Sequence, residues 1–196
     1  TKLIGIDFDG FGKAKQEAVQ MTSNDWILSL DSDEVVTSQL KKSIRGFLAD
    51  CDSFAGAEVG RITNLCGYWV QYSGWYPEYV LRLFNKRRAG FDGKAIHESI
   101  HYEGKITRLQ GNLLHYSYPN IKSYLQKLIL YARITADLKK DLPGPVKVIY
   151  MLAKPFTTFF IKFIIQRGFM DGLYGLWIAV LSAVGQFMKY YYSIKR

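Results

Sequence analysis

An α/β sheet with an appended helical segment is the fold class this sequence predicts, and three observations point to it. A helical stretch at 12–21 is followed closely by the apolar run Trp26-Ile27-Leu28-Ser29-Leu30, and helix, short loop, buried strand is the rhythm of an α/β sheet. That run ends in Asp31-Ser32-Asp33-Glu34, at the carboxyl end of a strand, where open α/β sheets gather their ligands. From about residue 121 onward the chain becomes basic, aromatic and apolar, with helical periodicity. Its 196 residues suit one domain or one domain with an appendage, and 48% hydrophobic with 15% aromatic residues excludes disorder.

The elements follow in order. Lys13 to Gln20 form the first helix, Thr22-Ser23-Asn24 a polar turn, and 25–30 the first strand. Ser38 is placed to cap a second helix whose Leu40, Ile44, Phe47 and Leu48 share one face. Residues 54–84 are β-rich and aromatic, punctuated by Gly67, Gly74 and Pro77, with a strand over 80–84 and an irregular loop. A last strand or hairpin over 106–118 leads into a helix at about Ile121. That helix, 121–138, carries Tyr124, Leu125, Leu128, Tyr131, Ala132 and Leu138 as its apolar stripe and Lys122, Lys127 and Arg133 elsewhere. Leu142-Pro143-Gly144-Pro145 then breaks the chain. The expected boundaries are a sheet domain over 1–120 and a helical segment over 121–196.

Charge divides the chain in the same sense. Residues 1–103 hold 12 Lys and Arg against 14 Asp and Glu, whereas residues 104–196 hold 14 against 3, so the two halves face different partners. Within 146–192 the cations Lys147, Lys154, Lys162, Arg167 and Lys189 are spaced among Phe, Tyr, Ile and Leu, with Asp171 the single acid. The longest uncharged stretch, 172–188, has 17 residues, just under the ~18–20 of a membrane span. The pattern fits two interfacial helices, 155–166 and 173–188, jointed at Pro155 and Gly168, with aromatics at the headgroup boundary and cations on an anionic membrane surface. Core or oligomer-interface helices are the alternative. Nucleic acid is not an expected partner, because its grooves call for clustered Lys and Arg with a few stacking aromatics.

Cys51 and Cys66 lack the number for a disulfide framework and any metal spacing, which fits a reducing compartment. The chain starts Thr1-Lys2-Leu3, without an initiator Met or signal peptide, and is expected to be the remainder of a longer polypeptide.

The chemistry is expected at the carboxylates. Burying three of them at a strand end is costly unless a cation or polar reactant neutralises them. Asp31 and Asp33, two residues apart where a strand gives way to a turn, can face one point and suit Mg²⁺ or Mn²⁺, which takes one or two carboxylates and fills its shell with water and phosphate oxygens. An acidic turn that merely stabilises the following helix dipole reads equally well from these residues alone.

A wider set of motifs bears on that choice. Gly10-Phe11-Gly12, Lys15-Gln16, Ala18 and the run from Asp25 to Val36 resemble the centre of an inverting family-two glycosyltransferase with the GT-A fold. The nearer resemblance is to bacterial lipopolysaccharide-core and related cell-surface β-glucosyltransferases. Further matches follow in order: Gly74-Trp75-Tyr76-Pro77 with Leu81-Arg82-Leu83-Phe84, Ile96-His97-Glu98, His115-Tyr116-Ser117-Tyr118, Lys154-Pro155, and Gly168-Phe169-Met170-Asp171-Gly172. Members of that family usually start with a strand carrying Asn-Glu and a second ending in Asp-x-x-Ser/Thr; neither occurs here, so an N-terminally incomplete GT-A core is expected.

The resemblance implies a metal-dependent transfer of a hexose from a nucleotide-diphosphate sugar, such as a UDP-hexose, to a lipid-linked or lipopolysaccharide-core acceptor at the cytoplasmic face of the bacterial inner membrane. Asp31 and Asp33 would hold Mg²⁺ or Mn²⁺ and the diphosphate, with His115 completing the metal site or simply hydrogen-bonded at a strand terminus. Glu98 would be the general base, or a carboxylate paired with Arg82. His97 would ligate metal or position Glu98. Lys15 would reach the nucleotide phosphates or lie on a solvated helix face, and Arg82 would stabilise phosphate. Trp75 and Tyr76 suit a sugar-stacking platform or plain packing. Glu34 is expected to cap the helix or orient a ligand. The absence of Gln-x-x-Arg-Trp argues against a processive synthase.

Two rivals remain at the level of sequence. Ile4-Gly5-Ile6-Asp7-Phe8-Asp9-Gly10 mimics the nucleophile loop of haloacid-dehalogenase-type phosphatases, with Asp7 attacking phosphate and Asp9 as acid/base, but it lacks the Thr or Val expected after Gly10. A non-catalytic membrane-associated scaffold would leave the carboxylates structural.

Overall fold

The computed structural model describes residue 5, residues 10–92 and residues 99–195. The chain forms two compact units, Thr1–Arg61 with Tyr79–Leu113, and Ile62–Glu78 with Leu114–Arg196. Both contain helices and strands, so the class is α/β with two apolar C-terminal helices.

In the first unit, helix α1 (Phe11–Gln20) precedes strand β1 (Trp26–Leu28), as the sequence predicts. Strand β2 (Glu34–Val36) leads into helix α2 (Ser38–Leu48). Ser38 is the first helical residue, and the cap is Thr37, whose Oγ1 accepts the Leu40 N–H at 3.3 Å. The reason is tertiary: Thr37 Oγ1 also donates to the Asn112 carbonyl at 2.8 Å, which fixes Thr37 in the extended conformation that a cap requires.

Strands β3 (Phe54–Leu65), β4 (Tyr68–Trp69), β5 (Glu78–Asn85) and β8 (Lys105–Tyr118) complete the main sheet, in the order β1-β5-β3-β8-β2 with β4 on β3. Strands β6 (Ala89–Phe91) and β7 (Ile100–Tyr102) form a separate antiparallel pair. β1 runs antiparallel to β5 with Ile27 opposite Phe84. That register places Val19, Ile27, Phe84 and Ala89 in one apolar cluster, while Leu40, Val59 and Leu113 form a second beneath α2. Residues 105–118 make one long strand in place of a hairpin, and Gly111, at φ +92, lets it pass α2: a Cβ there would collide with the Leu40 backbone.

In the second unit, β4 pairs antiparallel with the end of β3, Leu65 opposite Tyr68. Helix α3 (Ile121–Asp137) starts at Asn120, whose side chain accepts the Ser123 N–H. Helix α4 (Gly144–Phe160) begins after Pro143 and continues through Pro155, followed by a π-turn over Ile161–Ile165. Pro155 therefore lies inside a helix and is not a joint. The Gly168 joint does occur: a 3-10 turn, Gly168–Asp171, separates α4 from helix α5 (Gly172–Ile194), longer than expected at both ends. Gly175 packs so closely on Gly168 that a Cβ would strike the Gly168 carbonyl.

Leu65, Val70, Tyr124 and Ile178 form the core of this unit, flanked by Trp75, Tyr118 and Tyr174. Asp171, 3% exposed, accepts hydrogen bonds from the Tyr72 N–H at 2.8 Å, the Tyr68 hydroxyl at 3.1 Å and the Gln71 N–H at 3.2 Å. A buried carboxylate with three donors is a satisfied group, and it ties the segment after β4 to the start of α5.

Candidate active site

The carboxylate run closes on itself in a tight turn. Glu34 donates its N–H to the Asp31 carbonyl at 3.0 Å, and Asp31 donates its N–H to Glu34 Oε2 at 3.1 Å. Glu34 thus opens β2 and braces the turn; it does not cap α2, a role that Thr37 fills. Just before the turn, the Ser29 N–H bonds the Arg82 carbonyl at 2.8 Å, which extends the pairing of β1 with β5 and sets Arg82 beside the carboxylates.

Arg82 Nη2 lies 2.5 Å from Asp31 Oδ2 and 2.6 Å from Glu34 Oε1. Lys15 on α1 reaches Asp31 Oδ1 at 2.8 Å and stands 5.7 Å over the Phe91 ring. Arg61 on β3 adds a 3.4 Å contact to Glu34 Oε1. The Glu34 side chain is fully buried and that of Arg82 is 9% exposed, so their pairing is held in low dielectric where either charge alone would be costly. For Asp31, burial pushes the carboxyl pKa up, but the Lys15 hydrogen bond and the charges of Arg82 and Lys15 outweigh it and hold it below the ordinary value.

Lys15, Asp31, Arg61, Arg82, Phe91 and Ser99 line a pocket of about 370 Å³. Lys15, Arg61 and Arg82 thus converge on Asp31 and Glu34 among the described residues. Arg82 Nε is buried with no hydrogen-bond partner among the described residues, an unmet donor at the pocket wall. Such a site attracts an anion with several acceptor oxygens.

The donor set also fits a hard divalent cation. A carboxylate offers roughly four acceptor sites, and the two ion pairs of Asp31 occupy one on each oxygen. Asp33 is half-buried two residues along the same turn. Among the described residues no group of three or more His, Cys, Asp or Glu forms a ready metal cage, so a cation here would complete its shell from ligand and water.

The structure therefore brings Lys15, Asp31 and Arg82 together, with Asp33 in the same turn. Glu98 and His97 lie outside the described residues, as do Asp7 and Asp9; Ser99 and Ile100, next along the chain from Glu98, line the pocket. Three predicted residues belong to the second unit. Trp75 is half-buried, with ring centroids 5.7 Å from Tyr118 and 6.1 Å from Tyr124. Tyr76 and His115 are half-buried as well. Arg61 and Phe91 are pocket residues that sequence reasoning missed. Arg61 left a signal, the one basic residue in a strand rich in small and apolar residues.

No family model matches the chain. It is 28% identical over 187 residues to the lipopolysaccharide core biosynthesis glycosyltransferase LpsC of Rhizobium meliloti, which covers 91% of this chain and 67% of that protein. It is 26% identical over 203 residues to an uncharacterized glycosyltransferase of Rickettsia typhi, covering 96% and 68%, and 25% identical over 194 residues to one of Rickettsia prowazekii, covering 92% and 65%. Its curated homologues are thus named as glycosyltransferases, and the chain spans about two-thirds of their length.

Proposed function

We propose that this chain is the core of a metal-dependent, inverting glycosyltransferase of the GT-A class that moves a hexose from a nucleotide-diphosphate sugar, such as a UDP-hexose, to a lipid-linked or lipopolysaccharide-core acceptor. The observation that carries this reading is the Lys15, Asp31, Arg82 and Glu34 network at the end of β1, in a chain whose homologues are glycosyltransferases. Lys15 and Arg82 bind the donor diphosphate, and the unmet Arg82 Nε gains an acceptor when it arrives. Asp31 and Asp33 would hold Mg²⁺ or Mn²⁺, and the cation would offset charge on the diphosphate leaving group. Buried Glu34 keeps the Arg82 fork aimed.

Glu98, one residue before the pocket-lining Ser99, accepts the proton of the acceptor hydroxyl. The acceptor oxygen bonds the anomeric carbon as the bond from that carbon to the diphosphate breaks, which inverts the centre. His97 positions Glu98.

The proposal puts this work at the cytoplasmic face of the bacterial inner membrane, and two apolar helices support a place beside a membrane. The 22 residues of Gly144–Ile165 and the 27 of Gly168–Ile194 are long and apolar enough to cross one. Packing favours lying in the interface over crossing. α3 carries Lys122, Lys127 and Arg133 and runs along α5: Arg133 stacks on Tyr192 at 5.3 Å, and the Ser193 hydroxyl donates to the Lys139 carbonyl at 3.1 Å. A helix clamped to so charged a neighbour is kept out of hydrocarbon, while α4 leaves Phe156 78% exposed for lipid.

The test is metal-dependent binding of a UDP-sugar to the full-length protein by calorimetry. Binding that requires Mg²⁺ or Mn²⁺ and vanishes in a folded Asp33→Ala variant is expected; no binding by a folded wild-type protein would overturn the proposal in favour of a scaffold.

A further inference from the structure

The second unit holds a groove of its own, between α4 and α5. It measures about 660 Å³, within the ~300–1,000 Å³ of ordinary ligand sites, and every residue lining it is apolar. Met151, Pro155 and Phe159 form its α4 side, and Ala183, Val184 and Phe187 its α5 side. From Met151 to Phe159 it extends roughly 12 Å, at ~1.5 Å per helical residue. Phe156, Val184 and Phe187 stay exposed along it, so the lining forms a continuous apolar surface open to a ligand.

One end of the groove is charged. Phe187 stacks on Tyr191, with ring centroids 6.3 Å apart and planes 12° from parallel, and the exposed Lys195 ammonium stands 4.9 Å over the Tyr191 ring. The lining thus leads, turn by turn along α5, to a cation. Three helix termini meet at this end, where Lys147 at the start of α4 donates to the Ser193 carbonyl at 3.1 Å and to the Lys140 carbonyl at 2.9 Å. Lys139, Lys140, Lys147 and Lys195 therefore gather here, against Asp137 and Asp141.

We propose that the groove seats one acyl chain of an anionic membrane lipid, with the headgroup at Lys195. An amphiphile with an apolar tail and an anionic head matches both the uniform lining and the charge at one end. A second copy of this chain would bring the same lysines and no anion to meet them. The inference rests on the interfacial reading of α4 and α5 and goes beyond it. It makes the contact a seat for a single chain, where an interfacial helix pair alone would meet lipid with all its exposed apolar residues alike.

The experiment is photo-cross-linking of the full-length protein on phosphatidylcholine and phosphatidylglycerol vesicles, after flotation has shown that it binds them. The probe is a trace of phosphatidylglycerol, or of phosphatidylcholine, with a diazirine midway along one acyl chain, and mass spectrometry locates the adducts. Adducts are expected at Met151, Phe159, Val184 and Phe187, at least fivefold over the exposed Phe160 and Leu173 outside the groove. The phosphatidylglycerol probe should label about fivefold more than the phosphatidylcholine probe, a preference that Lys195→Gln removes and Lys195→Arg keeps. Ala183→Trp, which fills the groove while keeping it apolar, should abolish the groove adducts and leave flotation within about twofold. If Ala183→Trp does not fold, Val184→Trp at an exposed position takes its place. Labelling spread evenly over groove and outside residues, equal labelling by the two probes, or groove adducts that survive the filled groove overturns the acyl-chain seat. A dimer in sedimentation that is lost on filling the groove, with no groove adducts in wild type, overturns the lipid and assigns a second copy of the chain. No flotation of wild type overturns the interfacial reading itself.

Discussion

At Arg82 a single guanidinium nitrogen faces two carboxylates, one fully buried, and the consequences of removing it differ from those of removing Lys15. Arg82→Ala leaves Glu34 as an uncompensated buried charge, with Arg61 at 3.4 Å a poor substitute, so a loss of about 3–5 kcal/mol is expected in urea unfolding. Arg82→Lys should recover only part of it, since an ammonium lacks the planar fork. Lys15 and Asp31 are both partly exposed, so Lys15→Met should change stability by less than about 1 kcal/mol while weakening donor binding in calorimetry. Asp31 also sets an acid limb. Its folded-state pKa is depressed, so its contribution is complete above the ordinary carboxylate value of about 3.9 and is lost as pH falls through the lower folded-state value. Asp31→Asn should flatten that limb in urea midpoints measured against pH.

Among the elements, β8 and α3 show how packing decides what local pattern leaves open. The sequence marks 106–118 as β but cannot separate one strand from a hairpin, because Gly111 suits either a turn or a close approach. The structure uses it for the approach to α2, and Gly111→Ala should cost about 2 kcal/mol or more through the left-handed φ and the collision with Leu40. α3 was legible from its apolar stripe, and Tyr124 in that stripe is buried in the second unit's core. Burial, reinforced by Tyr118 and partly offset by a Ser182 hydrogen bond, pushes its phenol up to about 12. A raised folded-state pKa gives stability that is full below the ordinary value of about 10 and lost as pH rises through the folded value. Tyr124→Phe should therefore remove part of the stability loss between pH 10 and about 12, read from thermal melts across that range. Pro155 shows the opposite limit: its missing N–H predicts a helix joint, yet α4 passes through it while the chain turns at Arg167 and Gly168.

On the scale of the whole molecule, two units carry different surfaces, the first a charged pocket and the second an apolar helix pair. Phe156 makes few contacts to lose, so Phe156→Asp should leave Tm nearly unchanged yet reduce flotation with anionic vesicles at least tenfold, on the order of the transfer cost of a Phe side chain. The sequence by itself determined the α/β class, the carboxylate turn after β1, the cap region of α2 and the basic, apolar character of the tail, because periodicity, turn residues and charge are local properties of the chain. It also held the ordered motifs that resemble glycosyltransferases. Only the tertiary structure decided that Glu34 braces Arg82 and leaves capping to Thr37, that Arg61 and Phe91 reach the pocket, that Asp171 anchors the start of α5, and that α4 and α5 line one apolar groove. Each of these joins residues far apart in the chain, and such pairings are set by which faces bury together, a global balance of packing and desolvation that no local window of sequence contains.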